Sequence, residues 1–212
     1  MLRQSGPDET MAEAPSFSDR LLLVAEENFA VKKLLIEQCA EDFTALVDKI
    51  AEVFESGHRL YICGNGGSAG DAQHLATELV VRLDATQRRD PLPAIALTTD
   101  TSILTAAAND FGFDYVFSRQ LEALGRSGDG LLILSTSGNS ANLVVAAHTA
   151  HDMRMPVLAL LGKTGGDVAE LADVSVVVPS LNTQRIQEAH LFCLHVLCEI
   201  LEDRFAPETS NH

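Results

Sequence analysis

Five short apolar runs, each closed by a polar turn, set the limits on what this chain can fold into. They are RLYIC (59–63), PAIAL (93–97), LLILS (131–135), PVLALL (156–161) and VSVVVP (174–179). Their apolar character is continuous rather than alternating, as in strands buried on both faces. Each of the first four is followed by a polar turn and a helical pattern. Strand, turn and helix repeated in that order give a parallel sheet with helices on both sides. The expected fold is α/β: a single doubly wound five-stranded parallel sheet flanked by helices.

The segments outside the sheet complete the expected layout. Residues 17–56 read as two long helices, one carrying Leu21, Leu22, Val24, Ala25 and Phe29 and the second running from about Val31 to Phe54. They are too long merely to cover one sheet, so they are expected to pack against copies of themselves in a symmetric oligomer. A last amphipathic helix is expected from Thr183 to Arg204, ahead of Pro207. Residues 1–16 are acidic and polar, unlike a secretory leader, and read as a disordered extension; 17–206 form the domain and 207–212 a tail.

Composition excludes some partners. A net charge of −15 argues against a nucleic-acid surface, which needs Lys and Arg for phosphates. No apolar run approaches the roughly 20 residues of a membrane helix. Cys39, Cys63, Cys193 and Cys198 form no CxxC pair and read as buried free thiols in a reducing cytoplasm. Acidity does not forbid a phosphorylated ligand, because backbone N–H groups at a helix start bind anions without lysine.

The stretch YICGNGGSAGDAQHLATELVVR (61–82) concentrates the chemistry. Gly64-Asn65-Gly66-Gly67-Ser68-Ala69 fits the loose dinucleotide pattern after a strand and before a helix. The acidic partner about 20 residues on, at the tip of the second strand, is missing: Asp90 precedes that strand and Asp100 lies too far along. The glycines also suit a plain tight turn, with Ser68 and Asp71 spaced as a capping box. Neither reading uses His74 and Glu78, which as an i,i+4 pair leave one helix face together. Ordinarily such a pair is a solvated contact. Here it follows the carboxyl end of a strand, where doubly wound sheets bind ligands.

LSTSGNSANL (134–143) repeats the strand–turn–helix pattern with four hydroxyls, from Ser135, Thr136, Ser137 and Ser140. An ST-turn with Ser140 as N-cap would need fewer of them. A phosphate monoester at the helix N-terminus fits better. On the last helix, Gln187 and His195 stand eight residues apart, about 80° around the axis, and can flank one pocket. His190 lies on the other side of Gln187 and reads as structural. His195 falls in an apolar stripe, where an imidazole needs a partner. His74, Glu78, Gln187 and His195 together form a set that suits zinc.

With these pieces in order, the sequence resembles the phosphoheptose (sedoheptulose-7-phosphate) isomerases of the sugar-isomerase (SIS) fold family. The matching stretches are CGNGGSAGDAQHLATEL, LPAIALTTDTSILTAAANDFGFDYVFSRQLEALG, GDGLLILSTSGNSANL and RIQEAHLFCLH, spanning roughly residues 20–205. The resemblance implies a SIS-type sheet and a cytoplasmic homotetramer. It implies a sugar-phosphate site lined by Asn65, Gly66, Gly67, Ser68, Thr99, Asp100, Ser135, Thr136, Ser137, Ser140 and Gln187. It implies one zinc per subunit on His74, Glu78, Gln187 and His195, with Glu78 and His195 as catalytic acid and base. The position just before the R-I-Q run, where a polar or acidic residue is sometimes found, is Gln184 here, which weakens any role for that position.

The implied reaction is isomerisation of sedoheptulose 7-phosphate to D-glycero-D-manno-heptose 7-phosphate through an enediol, feeding activated heptose for a bacterial surface glycan. Relatives of the same fold act instead as phosphosugar-binding or replication-initiator-associating regulators. Those relatives lack the counterparts of Glu78 and His195, and this chain has both.

Overall fold

The computed structural model describes residues 16–86 and 88–207; the expected N-terminal extension, apart from Ser16, which caps the first helix, and most of the C-terminal tail lie outside them. In chain order the elements are α1 (Phe17–Glu55), β1 (Leu60–Gly64), α2 (Gly67–Val80), β2 (Ala94–Ala96), α3 (Thr101–Phe111), a 3₁₀ turn at Phe113–Tyr115 and α4 (Ser118–Leu124). They continue with β3 (Gly130–Leu134), α5 (Ala141–Asp152), β4 (Val157–Gly162), α6 (Gly166–Leu171), β5 (Val174–Val178) and α7 (Thr183–Arg204).

The five strands are parallel and run β2-β1-β3-β4-β5 across the sheet. Leu60 pairs with Ala94 on one side and with Gly130 on the other. The chain therefore leaves β1 for β2, then returns to the far side of β1 as β3. This reversal opens a crevice at the carboxyl ends of β1 and β3, the usual ligand position in such sheets.

Both sheet faces are covered, as the continuous apolar runs require. Leu60, Ile62, Leu132, Leu134, Leu158 and Leu160 point into one core, shared with α1, α2 and α7. Tyr61, Cys63, Leu131, Ile133, Ala159 and Leu161 point into the other, under α4, α5 and α6. Side chains alternate faces along a strand, so each run feeds both cores. All four cysteines are free and buried. Among the described residues, no helix is long and apolar enough to cross a membrane.

The expected pair of N-terminal helices is a single helix of 39 residues, roughly 58 Å long. Nothing between Phe29 and Val31 breaks it: there is no Gly or Pro there, and a change in the phase of apolar residues does not end a helix. Ser16 and Asp19 close a reciprocal capping box at its start. Its buried residues begin only at Leu35. Before that, Phe17 (79%) and Phe29 (71%) are exposed, together with Leu21, Leu22 and Leu23.

Candidate active site

The two glycine- and serine-rich turns follow neighbouring strands at the crevice, and both start helices without a side-chain cap. Gly66 (φ 57°) is the N-cap of α2 and Ser140 that of α5, and neither helix start receives a capping hydrogen bond. By contrast, α1, α3 and α7 are capped by Ser16, Asp100 and Asn182. Uncapped helix starts leave N–H donors and the positive end of the dipole for an anion.

The capping box expected between Ser68 and Asp71 does not form. The helix starts two residues earlier than such a box requires, with Gly66 rather than Ser68 as N-cap, so Ser68 is buried inside the first turn. Asp71 instead accepts a hydrogen bond from Gln187 Nε2 at 3.4 Å. Burial raises the Asp71 carboxyl above the usual range, against the lowering by Gln187 and His74. A methyl group at Gly67 would lie 2.0 Å from Gln187 Nε2, so the glycine leaves the room that the Gln187 amide occupies beside α2.

The second turn is fastened from within. Ser135 is buried, and its Oγ accepts from Gly138 N at 3.0 Å. Ser137 Oγ accepts from Asn139 N at 3.4 Å. Gly138 has φ 68°, and a Cβ there would fall 1.7 Å from Gly165 O. Asn139 Oδ1 in turn accepts from Asp167 N at 3.1 Å, tying the turn to α6. Among the described residues, Thr136 and Ser140 make no side-chain hydrogen bond within the chain, so their hydroxyls are free for a ligand.

Thr99 and Asp100 lie at the exposed tip of β2. Thr99 donates to Ala96 O at 3.2 Å, and Asp100 Oδ1 caps α3 by accepting from Ile103 N at 2.9 Å. Two residues outside the sequence reading hold this tip against α2: Thr98 donates to Ala69 O, and Gln73 donates to Thr98 O, both at 3.2 Å. Asn65 also has a partner that its loop does not reveal. Its amide and that of Asn142, on the first turn of α5, exchange two hydrogen bonds of 2.9 Å.

His74 and Glu78 on α2 meet His195 on α7. Glu78 Oε1 lies 2.9 Å from His74 Nε2 and 3.7 Å from His195 Nε2, and the two Nε2 atoms are 3.0 Å apart. These three groups form a metal-capable cluster. A tetrahedral ion held by N and O ligands spaces them by roughly 3.4 Å, close to all three edges. Glu78 is 8% exposed, and its Oε2 is buried without a hydrogen-bond partner. A half-satisfied buried carboxylate beside two imidazoles is costly by itself and fits a cation. Gln187 engages Asp71, about one turn nearer the start of α2 than His74.

The other candidate groups nearby serve the fold. Burial holds His190 well below its ordinary value, at about 4, and one ring nitrogen faces Leu161 O at 2.9 Å. It is a neutral structural histidine, as its helix position predicts. Burial, and next the Glu78 carboxylate, push the Cys198 thiol up, so it stays protonated beside the site. A cavity of about 620 Å³ is lined by His195 together with Asp84, Glu199 and Asp203. Its acidic wall does not suit a phosphate.

Comparison with known proteins agrees with this fold. The SIS domain family model matches residues 26–162. A phosphoheptose isomerase from Campylobacter concisus is 53% identical over 156 residues, 74% of this chain and 82% of its own. One from Chlorobaculum parvum is 45% identical over 203 residues, 95% of this chain and 97% of its own. The chain belongs to the phosphoheptose isomerase family of SIS-domain proteins. The solved phosphoheptose isomerase GmhA from Neisseria gonorrhoeae superposes with a TM-score of 0.83 at 40% identity, covering 89% of this chain and all of that one.

Proposed function

We propose that this chain is an aldose–ketose isomerase that interconverts sedoheptulose 7-phosphate and D-glycero-D-manno-heptose 7-phosphate, at the first step of bacterial ADP- and GDP-heptose precursor synthesis. The carrying observation is the meeting of Glu78, in the last turn of α2, with two imidazoles, together with the uncapped starts of α2 and α5. Family membership adds the substrate.

In this reading the phosphate sits on the N-terminus of α5, held by backbone N–H groups and by Thr136 and Ser140, with Ser135 and Ser137 shaping the turn. Asn65, Gly66, Gly67, Ser68, Thr99, Asp100 and Gln187 line the sugar. Isomerisation removes a proton from C1 of the ketose while the C2 oxygen gains one. The resulting enediol then takes a proton at C2 and loses one from the C1 oxygen. Glu78 carries the carbon-bound proton and His195 the oxygen-bound one. His74, one turn from Glu78, orients its carboxylate through the 2.9 Å contact.

His74, Glu78 and His195, with Gln187 turned from Asp71 as a fourth donor, would hold one zinc per subunit. Zinc so held supplies Lewis-acid polarisation of the substrate carbonyl. The donor types suit zinc, and the buried Glu78 Oε2 supports a cation.

The exposed apolar start of α1 is the oligomer surface of this reading, with a homotetramer as the assembly. An apolar groove between α1 and α7, lined by Leu35, Ile36, Phe43, Phe192 and Val196, supports it. Light scattering of the purified protein tests the assembly. A cytoplasmic location suits the four free thiols.

The test of function is turnover of sedoheptulose 7-phosphate, followed by NMR on protein as isolated, after chelation and after zinc is restored. Loss on chelation and recovery with zinc support both isomerase and metal. No turnover in any state from a folded oligomer refutes the reading and leaves a phosphosugar-binding regulator.

A further inference from the structure

Glu78 and His195 belong to different helices, so their separation depends on how the far end of α2 is registered against α7. Two buried charged residues occupy that joint. Arg89, on the segment between α2 and β2, donates from Nη2 to Glu78 O at 2.7 Å and from Nη1 to Leu79 O at 2.8 Å. Its side chain is 1% exposed and lies 3.6 Å from Glu202 Oε1 on α7, itself 3% exposed. Glu202 completes the joint by accepting from Leu83 N at 2.7 Å and Asp84 N at 3.1 Å, in the chain just leaving α2.

The arrangement is poorly explained as a source of stability. Burying both charges costs several kcal/mol per ion before attraction offsets it, and Arg89 Nε remains buried without a partner. Apolar side chains of similar size would stabilise the joint as well. What the pair supplies instead is position. Arg89 takes the last-turn carbonyls of α2, one of them belonging to Glu78 itself, and places a cation at the negative end of that helix. Glu202 follows His195 by seven residues on α7, two turns on and on nearly the same face. The joint thus fixes the backbone under Glu78 relative to the helix that carries His195.

We propose that Arg89 and Glu202 are positioning residues: a buried clamp that sets Glu78 against His195 for proton transfer and metal affinity. The inference rests on the isomerase reading above. Groups that orient metal ligands from behind typically change metal affinity or activity by about 10–100-fold when altered. Phosphate binding, at the turn after β3, is remote from the clamp.

The test compares Arg89→Lys with Arg89→Met/Glu202→Gln in the purified full chain. Lysine keeps the charge but cannot span both carbonyls. The double variant leaves no unpaired charge and keeps an acceptor for Leu83 N or Asp84 N. For each, zinc Kd is measured by chelator competition with the metal alone, alongside kcat, KM, melting and oligomeric state. The expected result is a folded protein of wild-type assembly with zinc Kd and kcat each worse by about tenfold or more, and KM within about threefold of wild type. Folded variants with zinc Kd and kcat within twofold of wild type overturn the proposal. So does failure of both variants to fold, which makes the pair a determinant of the fold alone. A wild-type protein that neither binds zinc nor turns over the heptose phosphate refutes the isomerase reading instead, so the two failures are distinguishable.

Discussion

The side-chain amides of Asn65 and Asn142 face each other and exchange two hydrogen bonds of 2.9 Å. They join the turn after β1 to the first turn of α5 across the crevice between β1 and β3. The two halves of the candidate sugar-phosphate site are therefore one mechanical unit. Asn142 is 2% exposed, so its amide has no access to water as an alternative partner.

Asn142→Ala strips Asn65 of both bonds. Chemical denaturation is expected to show a loss of about 1–3 kcal/mol, the cost of leaving a half-buried amide unsatisfied. KM for the heptose phosphate should rise more than kcat falls, because the loops that grip the substrate separate while the His–Glu cluster keeps its geometry.

Glu78→Gln keeps the shape of the side chain and removes the base. Turnover is expected to fall by about 10²–10⁴-fold, with circular dichroism and melting close to wild type. Near-normal turnover would remove Glu78 from the proton-transfer role.

Gly67→Ala pushes on the far end of a flexible side chain, since the new methyl lies 2.0 Å from Gln187 Nε2. The fold is expected to survive with Gln187 displaced from Asp71. Activity and zinc affinity should both drop, readable by assay and by chelator competition. A variant with full activity would show that Gln187 needs no fixed place.

His190 gives a stability signal with a definite sign. Its value is lowered from 6.5 to about 4 by burial, so between those pH values the unfolded chain binds the proton and the folded one does not. Its contribution is complete above about pH 6.5, is lost as pH falls towards 4, and is level below that. Unfolding of wild type against His190→Gln over this range should differ by on the order of 3 kcal/mol in total. Turnover at neutral pH should be much less affected than in His195→Ala; equal damage would mean the wrong histidine was assigned to the chemistry.

The sheet was legible in the sequence because each strand is buried on both faces, and continuous apolar runs are hard to mistake for surface. The last helix was legible for a similar reason, with Asn182 capping its start and Arg204 in its last turn. The division of α1 into two helices was not supported, because a change in apolar phase alters which face is buried without breaking the backbone ladder. The Ser68–Asp71 capping box failed on two residues of register: Gly66, at φ 57°, starts the helix earlier than the spacing of Ser and Asp implies. Arg89 and Glu202 lie in no motif, and Asn142, although inside LSTSGNSANL, gives no sign of its partner there. Their meaning lies in partners 113, 119 and 77 positions away.

By itself, then, the sequence determined which segments become strands and helices, and which turns carry glycine and hydroxyl groups. Local periodicity and side-chain chemistry act over a few residues, and those choices are local. Only the tertiary structure decided which groups meet. His74 and His195 are 121 residues apart and their ring nitrogens 3.0 Å, a contact that exists because α2 and α7 pack on the same face of the sheet. A buried contact of that kind is selected by the whole core at once, through packing that no stretch of chain contains alone.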